Sequence, residues 1–217
     1  MDRLQVTVRN ERFEIEGFPE AAKAITFDSP RLKKLSHYWL HHLDLEFAAA
    51  CLKDLNSGKP IKATTSEALW RSALVHYFKC FGKSKSRSSL DAGRILKRTE
   101  NGIVVHKQLK ALRDKHIVHD ENPFSSVTAG VILNRAGMRR KIAKVVCVSN
   151  HLQTLNQETW NHLRLLIETT NIWVMDQFDR LCENLTRELE QLDYRELMHM
   201  ENMKIEVYSW DAVSDLR

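Results

Sequence analysis

The sequence predicts a mainly α-helical bundle with an inserted β-hairpin and a short N-terminal β arm, and three observations carry that prediction. Only seven Gly and four Pro interrupt 217 residues that are 43% hydrophobic, which favours long elements around a real core. Several stretches repeat apolar residues at spacings of three and four, the mark of a helix face. Two others, near the N-terminus and after Pro123, alternate apolar and polar residues with period two, the mark of strands.

Leu4, Val6 and Val8 alternate, Asn10-Glu11 turns, and Phe13 and Ile15 resume the alternation, giving a β arm ending at Gly17. Asp28-Ser29-Pro30 then starts a long helix, with Leu32, Leu35, Trp39, Leu43, Phe47, Ala50 and Leu55 as its expected buried stripe. His37 and His41 share a face of it at i, i+4, a spacing that suits a metal but more often marks a polar flank. Thr64 and Glu67 form an expected capping box for a second helix, whose face of Leu69, Trp70, Ala73, Leu74, Tyr77 and Phe81 runs to Gly82. Arg71, His76 and Lys79 are its polar residues with a chance of facing the motif described below. The run Lys83 to Ser89 is basic and Ser-rich, a loop suited to phosphate contacts or simply a linker. A short helix from about Leu90 to Arg98 and an Asn101-Gly102 turn lead onward.

The stretch Val104 to Pro123, VVHKQLKALRDKHIVHDENP, holds the densest chemistry. Val105, Leu109, Leu112, His116 and His119 recur at helical spacing, and Pro123 stops the helix at or before Asn122. On an unbroken α-helix Arg113 and His119 lie about 60° to either side of His116 and about 9 Å apart along the axis. A core histidine and a solvated Arg-Asp pair are the bland alternative. Metal binding by His116, His119, Asp120 and Glu121 is a weaker one, because no strong zinc spacing is present.

Beyond Pro123, Val127, Ala129, Val131 and Leu133 alternate, Arg135-Ala136-Gly137 turns, and Ile142, Lys144, Val146 and Val148 alternate again: a hairpin over about 126–148, with Arg139, Arg140 and Lys141 at its tip or base. A long helix follows from about Thr154 to Leu192, about 58 Å if continuous, longer than the domain needs for its own core. Ile205, Val207 and Trp210 suggest a tail strand pairing with the N-terminal arm. The domain division expected is an arm at 1–28, a helical domain at 29–195 and a tail at 196–217.

Arg113, Asp114 after it, and His119 six positions on, near the end of a helix in a helical protein, resemble the HEPN superfamily, whose motif is an Arg, a polar residue, and a His after four to six intervening positions. The wording L-R-D-K-H-I-V-H-D is most similar to abortive-infection proteins of the AbiU2 type, and Trp70 to Gly82 resembles the aromatic-rich helix preceding their motif. The resemblance covers roughly residues 30 to 190. It implies a HEPN-like helical bundle, a homodimer with both motifs lining one cleft, a toxin or phage-defence role that admits a cognate antitoxin, and metal-independent RNA cleavage. In that chemistry His119 is the acid/base, Arg113 holds the scissile phosphate, Asp114 orients either, and His116 is a candidate second imidazole.

Charge points the same way. The net +5 hides 16 Lys plus Arg against 5 Asp plus Glu in residues 79–145, or +11, with −6 over the remainder. Such a block is often only a solvated face, but around an Arg/His constellation it favours an anionic ligand, a polyphosphate chain being the natural candidate; with the RNA that the resemblance implies, Lys83, Lys85, Arg87, Lys110, Lys115, Arg139 and Arg140 are the expected contacts. No cofactor or metal is expected. No apolar run approaches eighteen residues and no signal-peptide start is seen, so no membrane association and a cytoplasmic location are expected. Cys51, Cys80, Cys147 and Cys182, far apart in apolar surroundings, read as buried reduced thiols. A non-catalytic helical module using the same basic cleft for RNA, a nucleotide or a protein is the alternative to the ribonuclease, and a metal hydrolase is the third reading.

Overall fold

The computed structural model describes residues 6–9, 12–15, 18, 20–118, 125–151 and 154–203. Its order is β1 (Val6–Arg9), β2 (Arg12–Ile15), β3 (Ile25–Thr26), α1 (Pro30–Leu55), α2 (Ala63–Lys79), α3 (Ala92–Ile95), α4 (Gly102–Leu112), a π-helical turn (Arg113–Val118), β4 (Ser125–Leu133), β5 (Ile142–His151), α5 (Gln157–Leu189), α6 (Tyr194–His199) and β6 (Glu201–Asn202). The chain is mainly helical, and its described strands pair only as antiparallel two-stranded ribbons, β1 with β2, β3 with β6 and β4 with β5. It divides into two compact units, residues 1–39, 85–88 and 176–217 in one and 40–84 and 89–175 in the other. That division falls inside α1 and α5.

In the first unit, β1 and β2 form the expected N-terminal hairpin. Ser29 caps α1: its Oγ accepts from the Arg31 N–H at 3.2 Å and its carbonyl from the Lys33 N–H at 3.0 Å, with Pro30 at the first helical position, where a missing N–H costs nothing. The chain beyond α6 returns as β6 to pair with β3, ahead of α1. The predicted tail strand at Ile205, Val207 and Trp210 lies outside the described residues. The Ser-rich loop is drawn inward here: Arg87 is buried, and the Ser88 N–H donates to His37 Nδ1 at 3.3 Å. The His37 pKa is lowered by burial and by the positive charges of Lys33 and Arg87. Arg87 is therefore not the exposed phosphate contact its composition suggested, whereas Lys83 and Lys85 are exposed.

The second unit holds the main core. The face that α1 buries is not the expected one. His41, Leu45, Ala48 and Leu52 are buried, whereas Leu43 and Phe47 are 43% and 49% exposed. The two stripes are offset around the helix, and the core takes the one containing His41 and Asp44. Asp44 is tolerated because its Oδ1 lies 2.6 Å from His76 Nδ1 and 2.9 Å from Lys79 Nζ. A buried carboxylate needs such partners. His76 and Lys79 thus face α1 rather than the motif, and Arg71 pairs with Glu67 on its own helix. The expected capping box is absent because α2 begins at Ala63, putting Thr64 inside the first turn, and its N-cap Lys62 makes no side-chain cap. Trp70, Ala73, Leu74, Tyr77 and Phe78 are buried as the aromatic face of α2, and Trp70 Nε1 donates to Thr154 Oγ1 at 3.0 Å.

After α3, shorter than expected and capped by Asp91, Asn101 takes a left-handed conformation with φ 53°. Gly102 is needed there, since a Cβ would stand 2.8 Å from Thr99 Cβ. Cys51 and Cys80 are buried as expected, but Cys147 is exposed on β5. Asn156 and Thr159 cap α5 reciprocally, at 2.9 and 3.0 Å. No described helix is long and apolar enough to cross a membrane.

Because Leu45 is fully buried and Leu43 half-exposed, Leu45→Ala should destabilise by about 2–5 kcal/mol and Leu43→Ala by under about 1 kcal/mol, read as shifts in urea unfolding midpoint. Equal losses would restore the stripe read from the sequence.

Candidate functional site

The site is built where α4 crosses the aromatic face of α2. His106, Leu109 and Arg113 recur at i, i+3 and i+7, so α4 directs one stripe at α2. His106 is buried, its Nδ1 is 3.0 Å from the Tyr77 hydroxyl, and its ring centroid lies 4.7 Å from Phe81, 5.1 Å from Phe78 and 5.7 Å from Tyr77. Burial, helped by the Lys110 charge, lowers its pKa from 6.5 to about 4. Burial pushes the Tyr77 hydroxyl far above its ordinary range, against a smaller opposing effect of Thr170. The pair is therefore neutral near pH 7 and serves as a fixed polar pin in an aromatic wall.

Two turns further along, Arg113 emerges from that wall. Its guanidinium carbon sits 5.5 Å from the centroid of Phe78, the ring that also packs on His106. Its Nε lies 2.9 Å from Asp114 Oδ1, a close ion pair, although the Nε–H makes no aligned hydrogen bond. With 25% of its side chain exposed, Arg113 is held on two sides and open on another. The cation–π contact is worth about 0.5–2 kcal/mol and the partly exposed ion pair about 0–1 kcal/mol, so the ring holds the guanidinium at least as firmly as the carboxylate does.

The helix does not continue unbroken past this point. Arg113–Val118 is a π-helical turn with i→i+5 bonding, and it packs against α2. The 60° and 9 Å relations of an ideal α-helix therefore do not hold beyond Leu112. The His116 backbone belongs to this turn, but its side chain, and all of His119, Asp120 and Glu121, lie outside the described residues.

Of the expected contacts, Lys110 and Lys115 are exposed within five residues along the same helical segment as Arg113. Arg139 and Arg140 are exposed on the loop joining β4 to β5, which Asn134 closes by donating its side-chain N–H to the Arg140 carbonyl at 2.9 Å. Among the described residues no group of three His, Cys, Asp or Glu side chains gathers as a metal site. The His37–His41 pair diverges: His41 is buried and His37 bonds to Ser88.

Sequence reading missed His106 and Phe78. The signal was present in the stripe that links His106 to Arg113, one position out of phase with the Val105–Leu112–His116 stripe. A positive charge at the end of that stripe marks where it leaves the core. Compared with known protein families, curated proteins and solved structures, the chain matches none.

The depressed His106 pKa gives a signed expectation. Between pH 6.5 and about 4 the unfolded chain takes up a proton at this ring that the folded chain does not, so stability is fully present above 6.5 and falls as pH drops through that window. His106→Gln should flatten this part of the stability–pH curve, measured by urea unfolding from pH 7 to 4. An unchanged slope would mean that the imidazole titrates freely in the folded state.

Proposed function

We propose that this chain is a metal-independent endoribonuclease of the HEPN type, cutting RNA through attack by its own 2′-hydroxyl. The observation that carries the reading is Arg113, a half-buried guanidinium fixed by Phe78 and Asp114 at the mouth of a π-helical turn, six residues before His119. A guanidinium with restricted freedom is suited to a phosphate, since little ordering is left to do when the anion arrives. π-Turns also recur at functional positions in helices.

In the reaction, the 2′-oxygen forms a bond to phosphorus as the 5′-oxygen leaves, giving a 2′,3′-cyclic phosphate and a free 5′-hydroxyl. His119 moves the proton, taking it from the 2′-hydroxyl or giving it to the 5′-oxygen, with His116 as the second imidazole. Arg113 stabilises the charge on the phosphorane, and Asp114 orients it. His106 takes no part, because its ring is buried and neutral. Lys110 and Lys115 beside the motif and the exposed Lys83 and Lys85 supply the non-specific attraction for the backbone, while buried Arg87 does not. A homodimer, a cytoplasmic setting and a cognate antitoxin belong to the same reading.

The close Asp114 partner of Arg113 favours the second reading, a non-catalytic module in which that pair is structural and the basic surface only binds. Assay decides between them. Purified protein in EDTA should cleave RNA and not DNA and leave the cyclic phosphate or its opened product. His119→Ala and Arg113→Ala should each lower the rate by roughly 10²-fold or more. RNA binding with no cleavage supports the module, and cleavage that requires Mg²⁺ or Mn²⁺ or survives His119→Ala at full rate rejects the assignment.

Replacing Lys83 and Lys85 with Ser should weaken RNA binding and reduce its salt dependence. Arg87→Ser should act mainly on stability, seen as a lower melting temperature.

A further inference from the structure

Arg94 and Arg164 each lie over a tryptophan ring borne on α5, and they differ in one respect. The Arg164 guanidinium carbon is 5.5 Å from the centroid of Trp160, and its Nη1 donates to Glu168 Oε1 at 2.7 Å, so that charge is answered on its own helix. The Arg94 guanidinium carbon, carried by α3, is likewise 5.5 Å from the centroid of Trp173. Arg94 is exposed, and among the described residues no carboxylate pairs with its side chain. Asp91, the nearest acid in sequence, accepts from the Arg94 backbone N–H as the cap of α3. Trp173 stands at the edge of the stripe that α5 buries with Leu166, Thr170 and Val174, and it is partly exposed.

Arg94 begins a row of such charges. Lys97, Arg98, Lys107 and Lys110 are also exposed and take part in no ion pair among the described residues, whereas the exposed Arg31, Arg71, Arg164 and Arg180 each take a carboxylate. Residues 92–113 hold six Lys plus Arg against one acid, Glu100. The end of α3 lies against the start of α4, since a Cβ on Gly102 would stand 3.2 Å from the Leu96 carbonyl oxygen. Lys107, Lys110 and Arg113 then follow at intervals of three along the same helical segment, and the axial run from Gly102 to Arg113 is about 16 Å.

A row of unanswered cations leading to Arg113 suits a polyanion, and an indole beside a guanidinium adds a π surface that only an unpaired base can use. We propose that Trp173 and Arg94 form a base-stacking subsite for single-stranded RNA, a few nucleotides along the strand from the phosphate held at Arg113. The inference rests on the RNA reading of this chain but not on cleavage. The base stacks on the Trp173–Arg94 platform, the guanidinium N–H groups serve the adjoining phosphate, and Lys107 and Lys110 follow the backbone toward the motif. A duplex keeps its bases stacked on one another and gains only the backbone contacts. No window of sequence displays this subsite, because the ring and the charge meet only in the fold.

Fluorescence anisotropy with an unpaired RNA oligonucleotide of about ten nucleotides bearing 2′-O-methyl sugars, which carry no nucleophile, reads binding apart from cutting. Trp173→Leu should weaken single-strand binding about tenfold and leave binding of a duplex of the same length within about twofold, while Trp173→Phe should retain most of the single-strand affinity. Arg94→Gln should also cost the single strand about tenfold and lower the salt dependence by about one counterion. Arg164→Gln, which removes the same charge from a paired position, should change neither. Arg94 is exposed, so its variant tests the subsite even where Trp173→Leu lowers stability. Single-strand affinity unchanged in Trp173→Leu and Arg94→Gln, equal losses on single strand and duplex in Trp173→Leu, or a loss in Arg164→Gln as large as that in Arg94→Gln would each overturn the proposal. Metal-free RNA cleavage by the wild type together with any of these results would leave the ribonuclease standing without the subsite. Single-strand binding that depends on Trp173, with no cleavage, would keep the subsite and remove the ribonuclease.

Discussion

The contact between His106 and Tyr77 is the one on which the site depends. A neutral imidazole and a neutral phenol meet in a buried setting walled by Phe78 and Phe81, and together they satisfy a polar requirement that only one register of α4 on α2 meets. Sliding α4 by a turn would bury the His106 imidazole away from its phenol partner, at a cost of about 1–3 kcal/mol. That specificity is transmitted along the helix, since Arg113 follows His106 by seven residues and so leaves the core over the same ring.

A second polar anchor works on the same principle. Asp44 is buried between α1 and α2 and draws His76 and Lys79 to one carboxylate oxygen, with the Phe47 ring 4.3 Å from that of His76. Polar residues thus set the register of α2 against both of its neighbours. The aliphatic and aromatic core supplies most of the driving force, which is non-directional. The hydrogen-bonded groups select among the packings that burial alone would allow.

Much of the fold was legible. Helix starts at Pro30, strand alternation after Ser125 and the N-terminal ribbon follow from local chemistry, and local chemistry is what a sequence displays. The face that α1 buries was not legible, because Leu43, Phe47 and Ala50 form as good an apolar row as Leu45, Ala48 and Leu52; the choice depended on the partners for Asp44, His76 and Lys79, that only the fold supplies. The direction of Arg87 was hidden similarly, since composition makes a Ser-rich basic loop look solvated while one charge turns inward. At the site, Arg113 and Asp114 were readable as a pair. The π-turn and the role of Phe78 were not, because both arise from packing across helices.

The central claim is that Phe78, itself set by the His106–Tyr77 contact, holds the Arg113 guanidinium in place. Proton–nitrogen NMR of the arginine Nε–H resonances near neutral pH tests it directly, since a proton held against a ring face is shielded. The account predicts an upfield Arg113 Nε–H signal, resolved from those of exposed arginines, that moves back toward them in Phe78→Leu while the helical circular dichroism is retained. An Arg113 signal indistinguishable from the exposed arginines, and unchanged in Phe78→Leu, would contradict it.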